Sequence, residues 1–382
     1  MITCVGHNII SSLGFSSSEN YAAVKSGSSG LVLYNSCFDS VEPFVASMID
    51  KVVLKEKFTA ICNDSNHYST LEKAAILSVL DANKTAQIEL SNARVLFVLS
   101  STKGNVEALE NDHQQTKKYL WHSAQRITQF FQNPNTPVIV SNACISGASA
   151  QIAALRELET DHYDKAVVIG ADMLSKFVIA GFQSFKALSS ECCNPFDVDR
   201  TGLNLGESAA TIIYSKKIPE LRTLPNTHFS LLNGVVRNDA NHISGPSRTG
   251  EGCVRALTYI LKNIDTQDIA FINAHGTATS YNDAMETVSL NRTGLNQLPT
   301  NSLKGYFGHT LGAAGVLETI ISSLALADHT ILASAGFSKG DDREHLNIVS
   351  TNQYTDKKMF IKMLSGFGGC NATLLVRNGL EE

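Results

Sequence analysis

Short apolar runs alternate along the chain with longer segments whose apolar residues recur at helical spacing. Residues 71–80 have this helical spacing and predict a helix. The apolar runs are too short for helices and have no polar face, so they predict strands in sheets that are covered on both sides. These predicted strands are residues 95–99, 138–140, 166–169, 211–214, 271–273 and 359–363. The alternation therefore predicts an α/β fold.

Two pairs of similar segments indicate an internal repeat. Cys144 and His309 are each followed by Gly-Ala at the third and fourth positions, and then by apolar residues at helical spacing. Ala210-Thr-Ile-Ile-Tyr similarly matches Ala372-Thr-Leu-Leu-Val. The members of the first pair are 165 residues apart and those of the second pair 162, which favours two similar halves.

The repeat predicts a junction near residues 214–221, with an N-terminal half of residues 1–215 and a C-terminal half of residues 216–382. In each half, small residues begin a helix just after a reactive side chain, Cys144 or His309. Such small-residue starts suit helices that lie between two sheets, where backbones must approach closely.

The composition is that of a globular protein, with 43% hydrophobic and 18% charged residues among 382. The net charge is −5, and no basic stretch with interleaved aromatic residues occurs, which argues against nucleic-acid binding. The longest apolar stretch, residues 316–327, is too short and too interrupted to span a bilayer. Eight cysteines without metal or disulfide spacing, and an N-terminus unlike a secretory signal, predict a reduced cytoplasmic protein.

Cys144 is the first candidate for chemistry. It lies where a β-branched apolar run ends and the small residues Gly147-Ala-Ser-Ala begin a helix. Unpaired backbone N–H groups and the helix dipole favour negative charge at such a position. We therefore expect a depressed thiol pKa and an effective nucleophile. A buried structural cysteine is the alternative that this segment alone leaves open.

Two histidines and a glycine-rich turn are further candidates. His275 ends an apolar run and is followed by Gly-Thr-Ala-Thr, while His309 stands at a helix start, five residues after Lys304. The turn Ser365-Gly-Phe-Gly-Gly-Cys-Asn leads into the last predicted strand. A lone histidine is more often structural, but two histidines beside glycines at strand ends or helix starts indicate a site.

Four segments resemble the β-ketoacyl-acyl-carrier-protein synthases, and the resemblance stays in register from about Val5 to Val376. They are Asn142-Ala-Cys-Ile-Ser-Gly-Ala, Asn273-Ala-His-Gly-Thr-Ala-Thr, Lys304-Gly-Tyr-Phe-Gly-His-Thr-Leu-Gly-Ala-Ala-Gly and Gly366-Phe-Gly-Gly-Cys-Asn-Ala. The resemblance implies a thiolase-like fold, with two similar αβαβα halves in a five-layered arrangement. It also implies an acyltransferase that elongates acyl chains in fatty acid, polyene or polyketide-type biosynthesis.

The resemblance assigns the main chemical roles. Cys144 would take an acyl chain from the phosphopantetheine thioester of an acyl carrier protein. The backbone N–H groups of Cys144 and Phe367 would form the oxyanion hole. His275 and His309 would bind the carbonyl of the malonyl thioester as neutral groups and stabilise the enolate that decarboxylation leaves.

The supporting roles also follow from the resemblance. Lys304 would pair with a buried glutamate, Glu318, and Thr277 and Thr279 would bind the pantetheine arm. No metal or redox cofactor is implied, because the substrates arrive on the carrier protein. The family implies a homodimer, or a heterodimer with a ketosynthase-like subunit.

Two places depart from the family pattern. Ser365 replaces a phenylalanine that gates the acyl pocket in the family, which puts ordinary chain-length control in doubt. Residues 105–135 are polar and shorter than usual, although that region commonly contributes to the dimer contact and the acyl pocket. We therefore expect a specialised synthase of a secondary lipid or polyketide pathway.

Two other functions stay open. A chain-length factor is a partner subunit that resembles the synthases but lacks the nucleophile, and the presence of Cys144, His275 and His309 argues against it. A thiolase uses a second cysteine near the C-terminus as a base, and Cys370 is the candidate for that role. The pair of histidines favours a synthase over a thiolase.

Overall fold

The computed structural model describes residues 1–40, 42–111, 117–216, 228–340 and 345–379. Its helices are α1 (Ser17–Lys25), α2 (Lys51–Thr59), α3 (Thr70–Ala86), α4 (Ala108–Asn111), α5 (Leu120–Phe130), α6 (Ser146–Glu159), α7 (Lys176–Ser184), α8 (Glu251–Ile260), α9 (Ser280–Arg292), α10 (Lys304–Phe307) and α11 (Ala314–Ala327). Its strands are β1 (Ile2–Ile10), β2 (Val32–Tyr34), β3 (Phe44–Ser47), β4 (Val95–Ser100), β5 (Val138–Val140), β6 (Lys165–Asp172), β7 (Leu205–Gly206), β8 (Ser208–Ser215), β9 (Phe229–Asn238), β10 (Ile269–Asn273), β11 (Thr300–Asn301), β12 (Thr330–Ile331), β13 (Gln353–Tyr354), β14 (Met359–Gly366) and β15 (Cys370–Asn378). Single 3-10 turns cover Cys37–Asp39, Ser65–His67, Thr266–Asp268 and Leu311–Ala313.

The elements that the apolar pattern predicted are present. The predicted helix at residues 71–80 lies inside α3, where a capping box of Ser69 and Glu72 satisfies the first backbone N–H groups. The predicted strands lie inside β4, β5, β6, β8, β10 and β14. The predicted junction near residues 214–221 lies partly outside the described residues, which stop at 216 and resume at 228.

Ten strands form one mixed sheet in the order β11-β10-β14-β15-β9-β1-β8-β6-β4-β5. From its centre outwards, one side is β1, β8, β6, β4 and β5, and the other is β9, β15, β14, β10 and β11. When the five strands of each set are numbered 1 to 5 in sequence order, both sets have the spatial order 1-5-4-2-3 from the centre outwards. The two sets also have the same parallel and antiparallel pairings. The two sets meet through a short antiparallel pairing of Ile2 with Leu231 and Thr3 with Ser230.

The helices form three layers around these two sets of strands. α6 and α11 contact each other and strands of both sets, so they lie in the middle. α3 packs on β1, β6 and β8 and also contacts α5, while α8 packs on β9 and β15 and also contacts α9. Each outer layer encloses its own apolar cluster, and a third cluster surrounds the central helices. The predicted arrangement of two similar halves in five layers is confirmed.

Glycines allow the two central helices to touch through their backbones. A Cβ atom on Gly147 would lie 2.9 Å from the backbone oxygen of Gly312 and from the backbone nitrogen of Val316. A Cβ atom on Gly315 would lie 2.4 Å from the nitrogen of Ala148, well inside van der Waals contact. The small residues at the starts of α6 and α11 therefore bring the preceding loops, which carry the candidate catalytic residues, side by side.

Helix α11 is the most apolar helix of the described chain, yet it is a core element. Its 14 residues are almost all buried between the two sets of strands. A membrane crossing takes about 20 apolar residues. In the described part of the chain, no helix reaches the combination of length and apolar character that a crossing requires.

Candidate active site

The three reactive side chains of the sequence analysis converge at one point. Cys144 precedes α6, His275 follows β10, and His309 lies between α10 and α11. The Cys144 Sγ atom and one nitrogen of each histidine all lie within 4.8 Å of one another. The two imidazole rings meet edge to face, with their centroids 5.0 Å apart. All three side chains are buried.

A cavity of about 1030 Å³ opens onto these three side chains. It is large enough to hold an extended small-molecule chain. The other predicted site residues that line it are Thr277, Thr279, Ser365 and Phe367. Lys304 and Glu318 do not line the cavity and lie buried behind it.

Lys304 and Glu318 belong to a buried ionic network that includes a third member, Lys362. The Lys304 Nζ atom contacts one oxygen of Glu318, and the Lys362 Nζ atom lies 2.7 Å from the other. Lys304 also donates to the backbone oxygen of His275 at 3.1 Å, and Lys362 to that of Ala274 at 3.1 Å. The network therefore fixes the backbone at and just before His275.

The charges in this network decide the ionisation of Glu318. Burial alone would raise the pKa of Glu318, but the positive charges of Lys304 and Lys362 outweigh it and hold the pKa below its usual range. The carboxylate is therefore ionised, and two ammonium groups share it. Lys362 was not predicted as a site residue, although a lysine inside an apolar strand indicates a buried partner.

Glu286 is a second residue whose importance the sequence analysis missed. Its two oxygens accept hydrogen bonds from the backbone N–H groups of His275 and Gly276, each at 2.7 Å. Burial, and then the negative charge of Asp283, raises the pKa of Glu286 to about 7. From the sequence alone, Glu286 is expected to be a charge near the start of a helix. In the structure, α9 turns this side chain inward, where it holds the His275 loop.

Asp283 orders the loop that carries the two threonines. Its oxygens accept hydrogen bonds from the backbone of Thr277 at 2.9 Å and of Ala278 at 3.1 Å. The hydroxyls of Thr277 and Thr279 are hydrogen-bonded to each other at 2.9 Å. The hydroxyls of Thr277 and Thr279 therefore face the cavity on a loop that these hydrogen bonds hold in place.

Both histidines are neutral. Burial, and then the positive charge of Lys304, lowers the pKa of His275 and of His309 well below the usual value. Within the described chain, Nδ1 of His275 and both ring nitrogens of His309 are buried without a hydrogen-bond partner. Because buried polar atoms are normally paired, these nitrogens indicate a site that a ligand completes.

The predicted depression of the Cys144 pKa is wrong for the resting site. Burial raises the pKa of the Cys144 thiol to about 11, and the positive charges of Lys103 and Lys304 offset only part of that effect. The thiol is therefore protonated at rest. A neutral imidazole nitrogen within 4.8 Å is available to accept its proton.

The turn after β14 packs against the nucleophile. A Cβ atom on Gly366 would lie 3.1 Å from the backbone nitrogen of Cys144 and 2.9 Å from the Sγ atom of Cys370. Cys370 donates to the backbone oxygen of Phe367 at 3.3 Å. Ala143, just before the nucleophile, has a φ of 45°, a strained conformation for a residue with a side chain. These contacts bring the turn that carries Phe367 next to the loop that carries Cys144.

The two departures from the family pattern have definite places. Ser365 is buried, lines the cavity, and donates a hydrogen bond to Asn371 at 2.8 Å. Within residues 105–135, the structure describes α4 and α5, while residues 112–116 lie outside the description. α5 packs against α3 and β5, at the outer edge of the large sheet.

The thiol and the two imidazoles are also donor types that suit a transition metal. The charges around them oppose that use, since Lys304, Lys103 and Lys362 all lower the pKa of His309 after the larger effect of burial. A field that disfavours a proton on His309 also disfavours a divalent cation there. We therefore do not assign these residues as metal ligands.

Comparisons with known proteins agree with this geometry. The protein-family model of the beta-ketoacyl synthase N-terminal domain matches residues 77–217, and the family model of the C-terminal domain matches residues 229–338. The 3-oxoacyl-[acyl-carrier-protein] synthase 2 of Staphylococcus aureus is 27% identical over 338 residues, covering 79% of this chain and 82% of that protein.

Two solved structures share the fold over almost the whole chain. The ishigamide ketosynthase/chain length factor superposes with a TM-score of 0.89 at 23% identity and covers 99% of each chain. The Xenorhabdus doucetiae ketosynthase in complex with its chain length factor gives a TM-score of 0.85 at 22% identity, covering 99% of this chain and 98% of that one. On its sequence matches, this chain belongs to the beta-ketoacyl synthase family.

Proposed function

We propose that this chain is a β-ketoacyl-acyl-carrier-protein synthase that joins an acyl chain held on Cys144 to a malonyl unit with loss of CO₂. One observation carries this proposal. A thiol and two neutral imidazoles lie within 4.8 Å of one another at a cavity of about 1030 Å³. Three of the four imidazole nitrogens are buried without a hydrogen-bond partner among the described residues. The thiol can hold an acyl chain, and the two imidazoles can bind one carbonyl oxygen.

In the first half-reaction, Cys144 Sγ attacks the acyl thioester and its proton moves through a neighbouring imidazole. The C–S bond to the pantetheine breaks, and the pantetheine sulfur leaves with that proton as a thiol. Negative charge forms on the carbonyl oxygen during this step. The backbone N–H groups of Cys144 and Phe367 are the donors that we assign to it.

In the second half-reaction, the carbonyl oxygen of the malonyl thioester accepts hydrogen bonds from His275 and His309. The bond to the carboxylate carbon breaks, CO₂ leaves, and its electron pair forms an enolate. The α-carbon then attacks the acyl carbonyl on Cys144, the C–S bond breaks, and the thiolate takes up a proton from solvent through the neighbouring imidazole. Neutral imidazoles suit this role, because they donate without protonating the enolate carbon.

The residues that line the cavity also favour a substrate that is attached to a carrier protein. Thr277 and Thr279 line it and would bind the pantetheine arm, whose amides need polar partners. Lys186 and Arg248 line it too, and their cationic side chains suit a phosphate or an acidic carrier protein. We propose that no metal or redox cofactor takes part, since each step above balances without one.

We further propose a dimer as the working unit, formed by two copies or with a ketosynthase-like partner. Both compared structures are of a ketosynthase with a chain length factor. In this chain β5 is the outermost strand of its side of the large sheet. An edge strand leaves backbone groups free to pair with another chain.

The rival functions fit less well. A chain-length factor would have no use for a thiol flanked by two histidines. A thiolase would need Cys370 as a base facing the substrate. Cys370 does not line the cavity, and its thiol donates to the backbone oxygen of Phe367.

The proposal is tested by mixing the protein with acyl-carrier protein and malonyl-carrier protein and measuring CO₂ release together with the mass of the carrier. We expect a β-ketoacyl-carrier protein from the wild type and none from Cys144→Ala. The assay is repeated with a co-expressed ketosynthase-like subunit. Release of CO₂ without a condensed product under both conditions would contradict the proposal.

A further inference from the structure

A loop that the proposed reaction does not use lies between the two loops that carry Cys144 and His309. It spans residues 101–104 and follows β4. The Ser101 backbone nitrogen donates to the Val140 oxygen at 3.3 Å, close to the nucleophile loop. On its other side, a Cβ atom on Gly312 would lie 2.9 Å from Ser101 Cα. The loop therefore touches both halves of the site.

One buried carboxylate holds this loop in place. Asp172, at the end of β6, accepts from the Ser101 hydroxyl at 2.7 Å and from the Thr102 backbone at 2.9 Å. It also accepts from the backbone nitrogen of Gly312 at 2.7 Å, three residues after His309. Asp172 thus ties the loop to the His309 segment, so residue 103 is carried in a fixed position.

Residue 103 in this loop is a half-buried lysine. Its Nζ atom donates to the Thr102 hydroxyl at 2.9 Å, and that hydroxyl donates to Asp172 at 2.9 Å. Within the described part of the chain, no carboxylate forms a direct ion pair with Lys103. An ammonium group that donates to a neutral hydroxyl keeps its full positive charge and can act on nearby groups.

We infer that Lys103 is a positioning residue that favours the thiolate of Cys144 by its positive charge. The inference rests on the proposed role of Cys144 as the nucleophile. Apart from burial, which raises the pKa of Cys144, the largest influence on that pKa is the charge of Lys103, which lowers it. Lys103 therefore offsets part of the cost of forming a thiolate in a buried site.

Other charged and titratable groups act on the same sulfur. The charge of Lys304 also lowers the pKa of Cys144, while Cys370 and Asp172 raise it, and each has less influence than Lys103. His275 and His309 face the thiol as neutral groups. Lys304 is paired with the carboxylate of Glu318, whereas Lys103 donates to the neutral hydroxyl of Thr102.

The test is the rate of Cys144 alkylation by iodoacetamide near neutral pH, where lysines keep their charge, followed by peptide mass spectrometry because the exposed Cys192 also reacts. The variants are Lys103→Met, which removes the charge, and Lys103→Arg, which keeps it. Lys165→Met is the matched control, since Lys165 is also half-buried but lies at the opposite end of β6 from Asp172.

We expect Lys103→Met to slow alkylation of Cys144 roughly threefold to tenfold at pH 7.5, because a smaller fraction of the thiol is ionised. Lys103→Arg and Lys165→Met should stay within about twofold of the wild type. An unchanged alkylation rate in Lys103→Met would overturn the inference. If that variant fails to fold, Lys103→Gln replaces it, and the comparison with Lys103→Arg decides the matter.

The same experiment separates this inference from the proposed function. Alkylation reports on the thiol alone and needs neither carrier protein nor partner subunit. Slower alkylation of Lys103→Met, together with a wild-type protein that does not condense acyl chains, would support the role of Lys103 and contradict the synthase. An unchanged alkylation rate in Lys103→Met, together with active condensation in the wild type, would contradict the role of Lys103 and support the synthase.

Discussion

At the scale of single residues, the proposed reaction uses the thiol and the imidazoles in different steps. In that proposal Cys144 forms the bond to the acyl chain, whereas His275 and His309 bind the malonyl carbonyl. Replacing either histidine with alanine should therefore lower malonyl decarboxylation by roughly 10²- to 10⁴-fold. Acyl loading of Cys144, measured by intact-protein mass spectrometry, should fall much less. Comparable losses in both steps would mean that the histidines activate the thiol or support the fold.

The ionisation of these histidines gives a pH prediction. Because burial lowers the pKa of His275 and His309 well below 6.5, both stay neutral as the pH falls through that value. The rate of malonyl decarboxylation should therefore stay level from pH 7.5 to about 6 and decline only below that range. The measurement is CO₂ release at fixed, saturating malonyl-carrier protein. A loss of rate centred near the ordinary histidine value, and retained in Glu286→Gln so that the carboxyl with a pKa of about 7 is excluded as its source, would show that the imidazoles titrate normally.

Ser365 carries the prediction about substrate choice. Ser365→Phe adds a ring to the cavity wall and breaks the hydrogen bond to Asn371. Activity toward rigid, unsaturated primers should fall by an equivalent of about 1–3 kcal/mol, as overpacking usually costs, while short saturated primers are spared. Ser365→Ala, which removes the hydroxyl without adding volume, is the control. Equal losses on both kinds of primer in the phenylalanine variant would reject a gate at this position.

At the scale of elements, the contact between α6 and α11 positions the site. Gly315→Ala would place a methyl group 2.4 Å from the Ala148 nitrogen, so the helices must separate. We expect a loss of about 1–3 kcal/mol in the free energy of unfolding, measured in urea. Gly181→Ala in α7 is the control, because no atom lies within 4 Å of the added carbon. That change should be neutral or stabilising by up to about 1 kcal/mol. A Gly315→Ala protein with the same free energy of unfolding as the wild type would contradict the close contact between α6 and α11.

The ionic network beneath His275 gives a second prediction for α11. Glu318→Ala leaves Lys304 and Lys362 without their shared carboxylate in a buried place. The free energy of unfolding should fall by about 3–5 kcal/mol, the usual result of removing one partner of a buried ion pair. Glu159→Ala at the exposed end of α6 is the control and should change stability by less than about 0.5 kcal/mol. A mild effect at Glu318 would mean that the two lysines lose their charge or reach water.

The sequence allowed prediction of the elements and of the reactive side chains. Apolar runs marked strands such as β4 and β6 because burial on both faces leaves no polar position. The order of the strands could not be predicted, since it depends on pairing between residues far apart, such as β1 with β8. Glu286 and Lys362 were missed because a single charge reveals its buried partner only when the fold brings the two together. The protonated resting state of Cys144 was missed because burial outweighs the charges nearby.

At the scale of the whole molecule, the fold gives two similar halves different tasks. The half with α6 carries the nucleophile, and the half with α11 carries both histidines. The glycine contact between these helices brings the thiol of Cys144 and one nitrogen of each histidine within 4.8 Å of one another. The outer strand β5 lies at the edge of the first half, where the proposed second subunit would extend the sheet.

The central claim is that Cys144 carries the acyl chain between the two half-reactions. The most direct measurement is the intact mass of the protein, first with acyl-carrier protein alone and then after addition of malonyl-carrier protein. The account predicts one acyl adduct, placed on Cys144 by peptide mapping, which disappears as the β-ketoacyl-carrier protein forms. A Cys144→Ala protein that still acquires the adduct, or an adduct that malonyl-carrier protein does not discharge, would contradict it.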